Sequence, residues 1–470
     1  MLDTLDLSKI NKVHFVGINS GFSSFCAKKL MDMGKIVTAS EFNQENEVAE
    51  EWIRKGVLYK GGHNADFIKE DLDLAVFPNG IIPGNPECER AIELKIPTIN
   101  VGELVGILTS NLKTIAIAGT HGKTTTSALC VWLLKELVGE PNFIIGDKIA
   151  GLAHNQVGGS EESRDWGVNP KSEYFVVEAC EYKRQFLKRA PDPYISVITH
   201  IDFDHSDYYK DQADYNSAFV EFIGNTKSRV LISLDGRNET GVIARLKSRG
   251  FKPKVENVEE YRAELNGLTF PLIGRCNREN VLRAYVLGIS LGFARDRVIK
   301  ALQSFKGVAN RFEFVGRSAK GNLIYKDYAH NPAKIRAAIE AVKETFEGRK
   351  LVLVWEPHSH ERSYTFRNEF AEAIKDADTT FLVDIFSPAR ETEKQRNLIS
   401  SHEFYKVLES VNRGRVIYAG NYENTLKLIK EFEHKKDDNI GNYVFLFASA
   451  GKLYKVVEGM EIEGTYEIIV

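Results

Sequence analysis

Short runs of Val, Ile and other apolar residues alternate with longer segments of helical periodicity along most of the chain. Examples of the apolar runs are VHFVGIN at 13–19, KTIAIA at 113–118 and KLVLVWE at 350–356. This alternation is typical of parallel sheets whose strands are connected by helices. We therefore expect an α/β protein.

The strand and helix patterns form three groups. A length of 470 residues suggests about three domains at roughly 150 residues each. The groups span residues 1–107, 108–307 and 308–470. We predict a Rossmann-like N-terminal domain, a central domain with a phosphate-binding loop and a mostly parallel sheet, and a Rossmann-like C-terminal domain. Clefts between such domains usually bind the ligands.

Charge and composition exclude several classes of protein. A net charge of −3 and a pI near 6.5 give no global electrostatic reason to bind nucleic acid or an anionic membrane. No stretch approaches the roughly 20 apolar residues that span a bilayer, and MLDTLDLSKI does not have the pattern of a secretory signal. Five scattered cysteines without a CxxC pair indicate reduced thiols. We expect a cytoplasmic protein, either monomer or homodimer.

The segment GTHGKTTT joins the run KTIAIA to the helical segment LCVWLLKEL. Gly119 and Gly122 would let backbone N–H groups approach a phosphate, Lys123 would add a positive charge, and the Thr124 hydroxyl could ligate Mg²⁺. A strict Walker A sequence would have glycine at Ile117, so a simple glycine turn is the alternative. The position between a strand and a helix favours the phosphate-binding loop. Its predicted ATP-binding residues are Gly119, Thr120, His121, Gly122, Lys123, Thr124 and Thr125.

Two other predicted strands end in residues that could complete this site. Glu178 follows the run YFVV, at the strand end where ligands of parallel sheets collect, and could hold Mg²⁺ opposite Thr124. Its neighbour Glu181 competes for the same role. His205 closes THIDFDH after the run YISVI and could reach a second metal or the transferring phosphate. The alternative is an ordinary surface or core histidine.

Three polar residues further along could contact the nucleotide. Asn277 and Asn280 stand three apart at the start of a predicted helix, so both amides share one face and could bond an adenine edge. Capping of that helix by Asn277 alone is the alternative. Arg311 could bind the γ-phosphate or pair with Glu313.

The segment KDYAHNPAKI follows the predicted strand NLIY. Asn331 can cap a helix whose first residue is Pro332. Asp327 and His330 then lie in the loop between strand and helix, where an Asp can bind ribose hydroxyls.

The segments GTHGKTTT, EACEY, THIDFDH, Asn-x-x-Asn, NRFE, DYAHNP and PHSHERS, in this order and spacing, resemble the Mur ligase family of peptidoglycan synthesis over nearly the whole chain. The form EACEY with IDFDH is most similar to its alanine-adding branch. The resemblance implies ATP and Mg²⁺ as cofactors and UDP-N-acetylmuramate and L-alanine as substrates. It implies that the muramate carboxylate attacks the γ-phosphate to form an acyl phosphate, from which the amine of the amino acid displaces phosphate.

The resemblance also assigns roles to the residues named above. The implied catalytic residues are Lys123, Glu178 and His205, and the implied metal ligands are Thr124, Glu178 and His205. The implied further nucleotide-binding residues are Asn277, Asn280, Arg311 and Asp327. The implied substrate-binding residues are Gly17, Asn19, Ser20, Tyr328, His330 and Arg362.

The chain departs from the family pattern mainly where substrates are expected. Cys276 stands where histidine is usual, and GINSGFSS has Asn19 and Ser20 in place of two glycines. Ser359 replaces a basic residue, while Arg362 is retained. Near the C-terminus, SAGKL stands where a Gly-Ala-Gly-Asp-like turn is usual.

Three alternatives are compatible with parts of this pattern. The first is a related amide ligase, such as one that attaches a ready-made peptide to the same nucleotide sugar, or a folylpolyglutamate-type or cyanophycin-type synthetase. The second is a non-catalytic nucleotide-dependent scaffold, against which the intact Lys123, Thr124, Glu178 and His205 argue. The third is a dehydrogenase using GINSGF, whose glycine spacing differs from the dinucleotide fingerprint.

Overall fold

A computed structural model describes residues 5–78, 84–152, 163–205, 208–388, 391–434 and 441–463. The chain divides into two compact units, Met1–Leu268 with Glu279–Lys306, and Thr269–Arg278 with Gly307–Val470. The first unit contains two sheets and the second contains one. The predicted α/β class with mostly parallel sheets is confirmed. The division into three domains, with boundaries after residues 107 and 307, stays a prediction.

The first sheet has four parallel strands. The first elements are β1 (Lys12–Val16), α1 (Gly21–Asp32), β2 (Ile36–Ser40), α2 (Glu47–Arg54), β3 (Leu74–Phe77), α3 (Pro86–Glu93), β4 (Thr98–Asn100) and α4 (Val101–Leu108). The strand order is β2, β1, β3, β4. The chain leaves β1 toward β2 on one side and returns as β3 on the other. The carboxyl ends of β1 and β3 therefore form the crevice where ligands of open α/β sheets bind.

The second sheet has seven strands. Its elements, with the helices that follow, are β5 (Lys113–Ala118), α5 (Lys123–Val138), β6 (Asn142–Ala150), β7 (Ser163–Gly167), β8 (Tyr174–Glu178), α6 (Phe186–Arg189), β9 (Ile195–Ile198), α7 (Gln212–Gly224), β10 (Arg229–Ile232), α8 (Arg237–Ser248), β11 (Lys254–Asn257), α9 (Arg275–Ser290) and α10 (Arg295–Gln303). The order is β11, β10, β9, β5, β8, β6, β7, and only the β6–β7 pair is antiparallel among the described strands. Because β5 lies between β9 and β8, the loops after these three strands meet at one edge.

The two sheets of the first unit share a hydrophobic core. Phe25 of α1 and Phe175 of β8 are fully buried, and their ring centroids lie 5.4 Å apart. Gly106 lets α4 approach the chain near α6, because a Cβ there would lie 2.9 Å from the carbonyl oxygen of Lys188. Burial of large apolar side chains in such a core is the main favourable contribution to folding.

The sheet of the second unit also has seven strands. Its elements are β12 (Glu313–Ser318), β13 (Leu323–Asp327), α11 (Pro332–Thr345), β14 (Lys350–Glu356), α12 (His360–Thr365), α13 (Arg367–Ala373), β15 (Thr379–Val383), α14 (Glu393–Arg396), α15 (Ser401–Val411), β16 (Val416–Gly420), α16 (Tyr422–His434), β17 (Tyr443–Ser449), α17 (Tyr454–Glu458) and β18 (Ile462–Glu463). The order is β16, β15, β14, β17, β13, β12, β18, and β12 is antiparallel to both neighbours.

The ends of the helices follow their capping residues. The Asn331 side chain accepts a hydrogen bond from the backbone N–H of Lys334, and Pro332 is the first residue of α11. This confirms the predicted cap. Short 3₁₀ helices span Leu7–Lys9, Ala65–Phe67, Tyr182–Arg184 and Val258–Leu265. Within the described ranges, no helix has both the length and the apolar character needed to cross a membrane.

Candidate active site

The glycine loop after β5 leaves the first turn of α5 open to an anion. Gly119 and Gly122 have φ values of +138° and +78°, a region that favours glycine. Gly122 precedes α5, and no side chain caps the helix there. The first N–H groups of a helix, at the positive end of its dipole, bind phosphate when no capping side chain takes them. The loop therefore fits the phosphates of a nucleotide.

Lys123, the lysine of this loop, is held by a carboxylate. Its ammonium lies 3.1 Å from Glu181 Oε2 and donates to the carbonyl oxygen of Gly119. Burial acts to lower the pKa of Lys123, but the carboxylates of Glu181 and Glu178 outweigh it, so the pKa is raised above its usual value. Lys123 is therefore charged at neutral pH, as a residue that binds phosphate must be.

Glu181 connects the loop lysine to His205. Nε2 of His205 lies 3.3 Å from Glu181 Oε1. Burial acts to raise the pKa of Glu181, but the hydrogen bond from His205 and the charge of Lys123 outweigh it and lower the pKa. Burial acts to lower the pKa of His205, and the bond to Glu181 with the charge of Asp204 reverses this and raises the pKa. His205 also has φ +57°, an outlier of the kind that clusters at functional sites.

The side-chain oxygens of Thr124 and Glu178 form a separate pair of potential metal ligands. Glu178, the last residue of β8, accepts a hydrogen bond of 2.8 Å from the backbone N–H of Gly146. A Cβ at Gly146 would lie 2.6 Å from Glu178 Oε2 and 2.9 Å from Thr124 Oγ1, so the two oxygens flank one point. A hydroxyl and a carboxylate are the ligands that Mg²⁺ prefers alongside phosphates and water, and the pair fits that ion.

Of the three predicted metal ligands, the structure thus brings Thr124 and Glu178 together, whereas His205 is bonded to Glu181. Within the part of the chain that the structure describes, no group of three His, Cys, Asp or Glu side chains is arranged to hold a metal. Mg²⁺ commonly takes only one or two protein carboxylates, and substrate phosphates and water supply the rest.

Other residues of the loop join it to neighbouring segments. The Thr120 hydroxyl donates to the carbonyl oxygen of Asp202, which ties the loop to the segment after β9. Asn280 is buried and accepts a hydrogen bond of 3.1 Å from Thr126, and a Cβ at Gly122 would press against its amide oxygen. Asn280 therefore lies against the loop. Thr125 is buried and His121 half-buried.

Asn277 is not the residue that caps α9, because the helix already begins at Arg275. Its side-chain amide donates to the carbonyl oxygen of Ile273 at 2.9 Å. Cys276 beside it is exposed. The adenine-binding role of Asn277 and Asn280 stays a prediction.

The loop after β1 is organised by an acidic side chain that sequence reasoning missed. Glu41 Oε2 accepts hydrogen bonds from the backbone N–H groups of Ile18 and Asn19, at 3.1 and 3.0 Å. Gly17 has φ +94°, and Ser20 caps α1 through the N–H of Ser23. Two N–H groups of the predicted substrate loop are therefore bonded to a carboxylate.

A buried polar network lies beside this loop. The Glu87 carboxylate accepts from the Ser40 hydroxyl at 2.6 Å and lies 3.2 Å from Nε2 of His14. The Ser40 hydroxyl in turn contacts Nδ1 of His63 at 2.8 Å. Burial acts to raise the pKa of Glu87, but the bonds from His14 and Ser40 outweigh it and lower the pKa. These residues are far apart in sequence, so no local motif indicated them.

A cavity of about 300 Å³ lies between the start of α4 and residues 182–189, which include α6. Its charged lining residues are basic. Arg189 lies over the ring of Phe22, 3.9 Å from its centroid, and Lys188 pairs with Glu103 at 3.3 Å. The lining residues are Asn100, Gly102, Tyr182, Lys183, Gln185, Lys188 and Arg189.

In the second unit, four of the predicted nucleotide-binding and substrate-binding residues lie at or beside the end of β13: Arg311, Asp327, Tyr328 and His330. Asp327 Oδ2 accepts a hydrogen bond of 2.9 Å from the N–H of Phe312, and burial raises the pKa of Asp327. The Arg311 guanidinium lies over the Tyr328 ring, 4.5 Å from its centroid. Glu313, the alternative partner of Arg311, lies 3.1 Å from Lys326.

His330 lies in the same loop as a neutral base. Its Nδ1 donates to the carbonyl oxygen of Tyr328 at 2.8 Å, so Nε2 carries the lone pair. Burial and the nearby charges of Lys334 and Arg362 lower the pKa of His330 to about 3. Arg362, in the first turn of α12, thus lies close enough to influence His330.

Three family models match consecutive parts of the chain. "Mur ligase family, catalytic domain" matches residues 12–113, "Mur ligase middle domain" matches 117–288, and "Mur ligase, glutamate ligase domain" matches 310–441. The matches cover the chain from β1 to α16 apart from short intervals.

Curated relatives align along most of the chain. The UDP-N-acetylmuramate–L-alanine ligase of Clostridium novyi is 33% identical over 412 residues, covering 83% of this chain and 85% of the relative. The enzyme of the same name from Caldanaerobacter subterraneus subsp. tengcongensis is 29% identical over 479 residues, covering 97% of this chain and 98% of the relative.

Solved structures share the fold. The UDP-N-acetylmuramate-alanine ligase MurC from Thermotoga maritima has a TM-score of 0.69 at 24% identity, covering 95% of this chain and 98% of its own. The murein peptide ligase from Psychrobacter arcticus has a TM-score of 0.60 at 18% identity, covering 96% and 98%. At these identities the likeness concerns the fold alone. Because three Mur ligase models match in order and a relative at 33% identity aligns over 85% of its own length, the chain belongs to the Mur ligase family.

Proposed function

We propose that this protein ligates L-alanine to UDP-N-acetylmuramate at the expense of ATP, forming ADP and phosphate, in the synthesis of peptidoglycan precursors. The observation that carries the proposal is the pair of oxygens from Thr124 and Glu178 beside the phosphate-binding loop. The names of the relatives supply the substrates. ATP and UDP-linked sugars are cytoplasmic metabolites, so we place the reaction in the cytoplasm.

The first step is phosphoryl transfer, which depends mainly on positioning and charge stabilisation. An oxygen of the muramate carboxylate bonds to the γ-phosphorus, and the bond to the β-phosphate oxygen breaks, which leaves ADP and an acyl phosphate. Lys123 and the N–H groups of α5 would hold the phosphates. Thr124 and Glu178 would hold Mg²⁺, which neutralises charge that develops on the phosphate oxygens.

The second step is attack of the amine on the acyl carbon, with phosphate as the leaving group. His330 supports this step because its Nε2 can accept a hydrogen bond from the amine. The low pKa of His330 keeps this lone pair available at neutral pH. Arg362 would bind the carboxylate of the same amino acid.

The donor's negative charges have a suitable surface in the first unit. One cavity is lined by the basic side chains of Lys183, Lys188 and Arg189. Tyr182, the residue after Glu181 in the chain, also lines it. Glu41 accepts hydrogen bonds from two N–H groups of the Gly17 loop. The loop therefore has fewer N–H groups left to bind the phosphates of the UDP-sugar. We therefore assign part of the anionic donor to the basic cavity.

The acceptor should be a small neutral amino acid. Ser359 replaces a basic residue of the family pattern, which leaves Arg362 for a single carboxylate. L-Alanine should be preferred, with glycine and L-serine slower, because one methyl group in a small pocket contributes only about 1 to 3 kcal/mol. A ready-made peptide, the acceptor of a murein peptide ligase, is the alternative.

Phosphate release tests the proposal directly. Purified protein with ATP, Mg²⁺ and UDP-N-acetylmuramate should release phosphate only when an acceptor is added, and mass spectrometry should find the amide of L-alanine. The same assay would be run with glycine, L-serine and the peptide L-alanyl-γ-D-glutamyl-meso-diaminopimelate. Coupling of the peptide with no product from the three amino acids would replace the proposal with the peptide ligase.

A further inference from the structure

The first turn of α12 is held by a carboxylate from a distant loop. Glu391 Oε1 accepts hydrogen bonds from the backbone N–H groups of His360 and Glu361, at 2.7 and 3.4 Å. Its Oε2 accepts from Nδ1 of His360 at 3.0 Å and from the Ser387 hydroxyl at 2.7 Å. Glu391 is only 5% exposed. Both oxygens of a buried carboxylate are therefore committed to α12 and its surroundings.

α12 needs this support because it is short and its N-terminal cap is poor. α12 has six residues, too few to be stable without tertiary contacts. Its capping residue, Ser359, has φ +71°, a strained value for a residue with a Cβ, and its hydroxyl accepts only a long bond of 3.3 Å from the N–H of Arg362. A second contact, from Gln395 to Glu361 at 2.7 Å, ties the same turn to α14, which follows Glu391 in the chain.

We infer that Glu391 is a positioning residue of the acceptor site, which fixes the first turn of α12 and thereby directs Arg362 toward the carboxylate of the incoming amino acid. This inference rests on the proposed function, in which Arg362 binds the acceptor. Glu391 acts on α12, because its two carboxylate oxygens are bonded to His360 and to Ser387.

The negative charge of Glu391 strengthens its hydrogen bonds to α12. Burial acts to raise the pKa of Glu391, but the hydrogen bonds from His360 and Ser387 outweigh it and lower the pKa, so the group is ionised at neutral pH. Bonds to an ionised acceptor are shorter and stronger than neutral ones. Glu391→Gln keeps the shape but removes the charge and turns an NH₂ group toward hydrogen-bond donors.

The test compares acceptors that do and do not carry a carboxylate. Glu391→Gln should raise KM for L-alanine about tenfold or more, while KM for ATP and for UDP-N-acetylmuramate stays within about twofold. Hydroxylamine, which has no carboxylate and traps the acyl phosphate as a hydroxamate, should react at the wild-type rate. The matched control is Glu403→Gln, since Glu403 caps α15 in the same unit through the N–H and hydroxyl of Ser400. The control should change none of these values.

Two further measurements separate positioning from general destabilisation. If Glu391 acts through Arg362, Glu391→Gln should add little to Arg362→Ala in a double-mutant cycle. Hydrogen exchange should show that the amides of His360 and Glu361 lose protection in Glu391→Gln, whatever substrate the enzyme uses. An unchanged KM for L-alanine, an equal loss with hydroxylamine, or unchanged exchange would overturn the inference. If wild-type protein did not use L-alanine, the proposed function would fail, and exchange would still decide the role of Glu391.

Discussion

Glu178 and Glu181 are three residues apart, yet they contact different partners. Glu178 lies beside Thr124 and is bonded by the N–H of Gly146, whereas Glu181 is bonded to Lys123 and His205. The first arrangement suits a metal ligand. The second suits a residue that holds the loop lysine in place before ATP binds. The Glu181 carboxylate pairs with Lys123 as a negatively charged phosphate would.

This difference gives a prediction for single substitutions. Glu178→Gln should retain ATP binding but lower turnover about 100-fold or more, because an electrostatic contribution of a few kcal/mol is lost. It should also need more Mg²⁺ for half-maximal rate, whereas Glu181→Gln should keep the wild-type Mg²⁺ dependence. Steady-state rates over a Mg²⁺ titration measure both effects. Wild-type turnover in Glu178→Gln would transfer the metal role to Glu181.

At the scale of elements, the site depends on how closely β6 approaches β8 and α5. Gly146 of β6 has no side chain, and this absence leaves room for the Glu178 carboxylate and the Thr124 hydroxyl. Gly146 is not among the residues with left-handed φ, so alanine would meet no backbone strain there. Glycine is therefore required at position 146 because a side chain would not fit there, and not because of the backbone conformation.

Gly146→Ala should therefore disturb the two proposed Mg²⁺ ligands, Thr124 and Glu178, without unfolding the protein. We expect a turnover lower by about tenfold or more and a higher Mg²⁺ requirement, because the new methyl group displaces the Glu178 carboxylate. The control is Gly241→Ala, an exposed position of α8 where a Cβ meets nothing within 4 Å. That change should stabilise the protein by about 0.5–1 kcal/mol and leave activity unchanged. Denaturant unfolding and Mg²⁺ titration of both variants measure this, and unaltered Mg²⁺ dependence in Gly146→Ala would contradict it.

At the scale of the whole molecule, the sequence predicted those parts of the fold that are encoded locally. The strands β5 and β13 follow continuous apolar runs, since parallel strands are buried on both faces. The strands β7 and β12 were not predicted. Their sequences, SRDWG and EFVGRS, contain no continuous apolar run, and each strand pairs antiparallel with a strand adjacent in the chain, β6 or β13.

The same distinction applies to the candidate site. The phosphate loop is one continuous motif, and the placement of Glu178 at the same sheet edge as this loop follows from the pairing of β5 with β8. By contrast, Glu41 meets the backbone of Ile18 from 23 residues away, and Glu391 meets His360 from 31 residues away. Such contacts form only when loops pack against each other, and no local pattern indicates them.

The fate of one oxygen atom tests the central claim most directly. UDP-N-acetylmuramate with an isotopic oxygen label in its lactyl carboxylate would be incubated with the protein, ATP, Mg²⁺ and L-alanine. Since the carboxylate oxygen bonds to the γ-phosphorus and its bond to the acyl carbon then breaks, the released phosphate should carry one labelled oxygen. ADP and the L-alanine amide should form in equal amounts. Amide formation with unlabelled phosphate, or phosphate release that does not depend on L-alanine, would contradict the account.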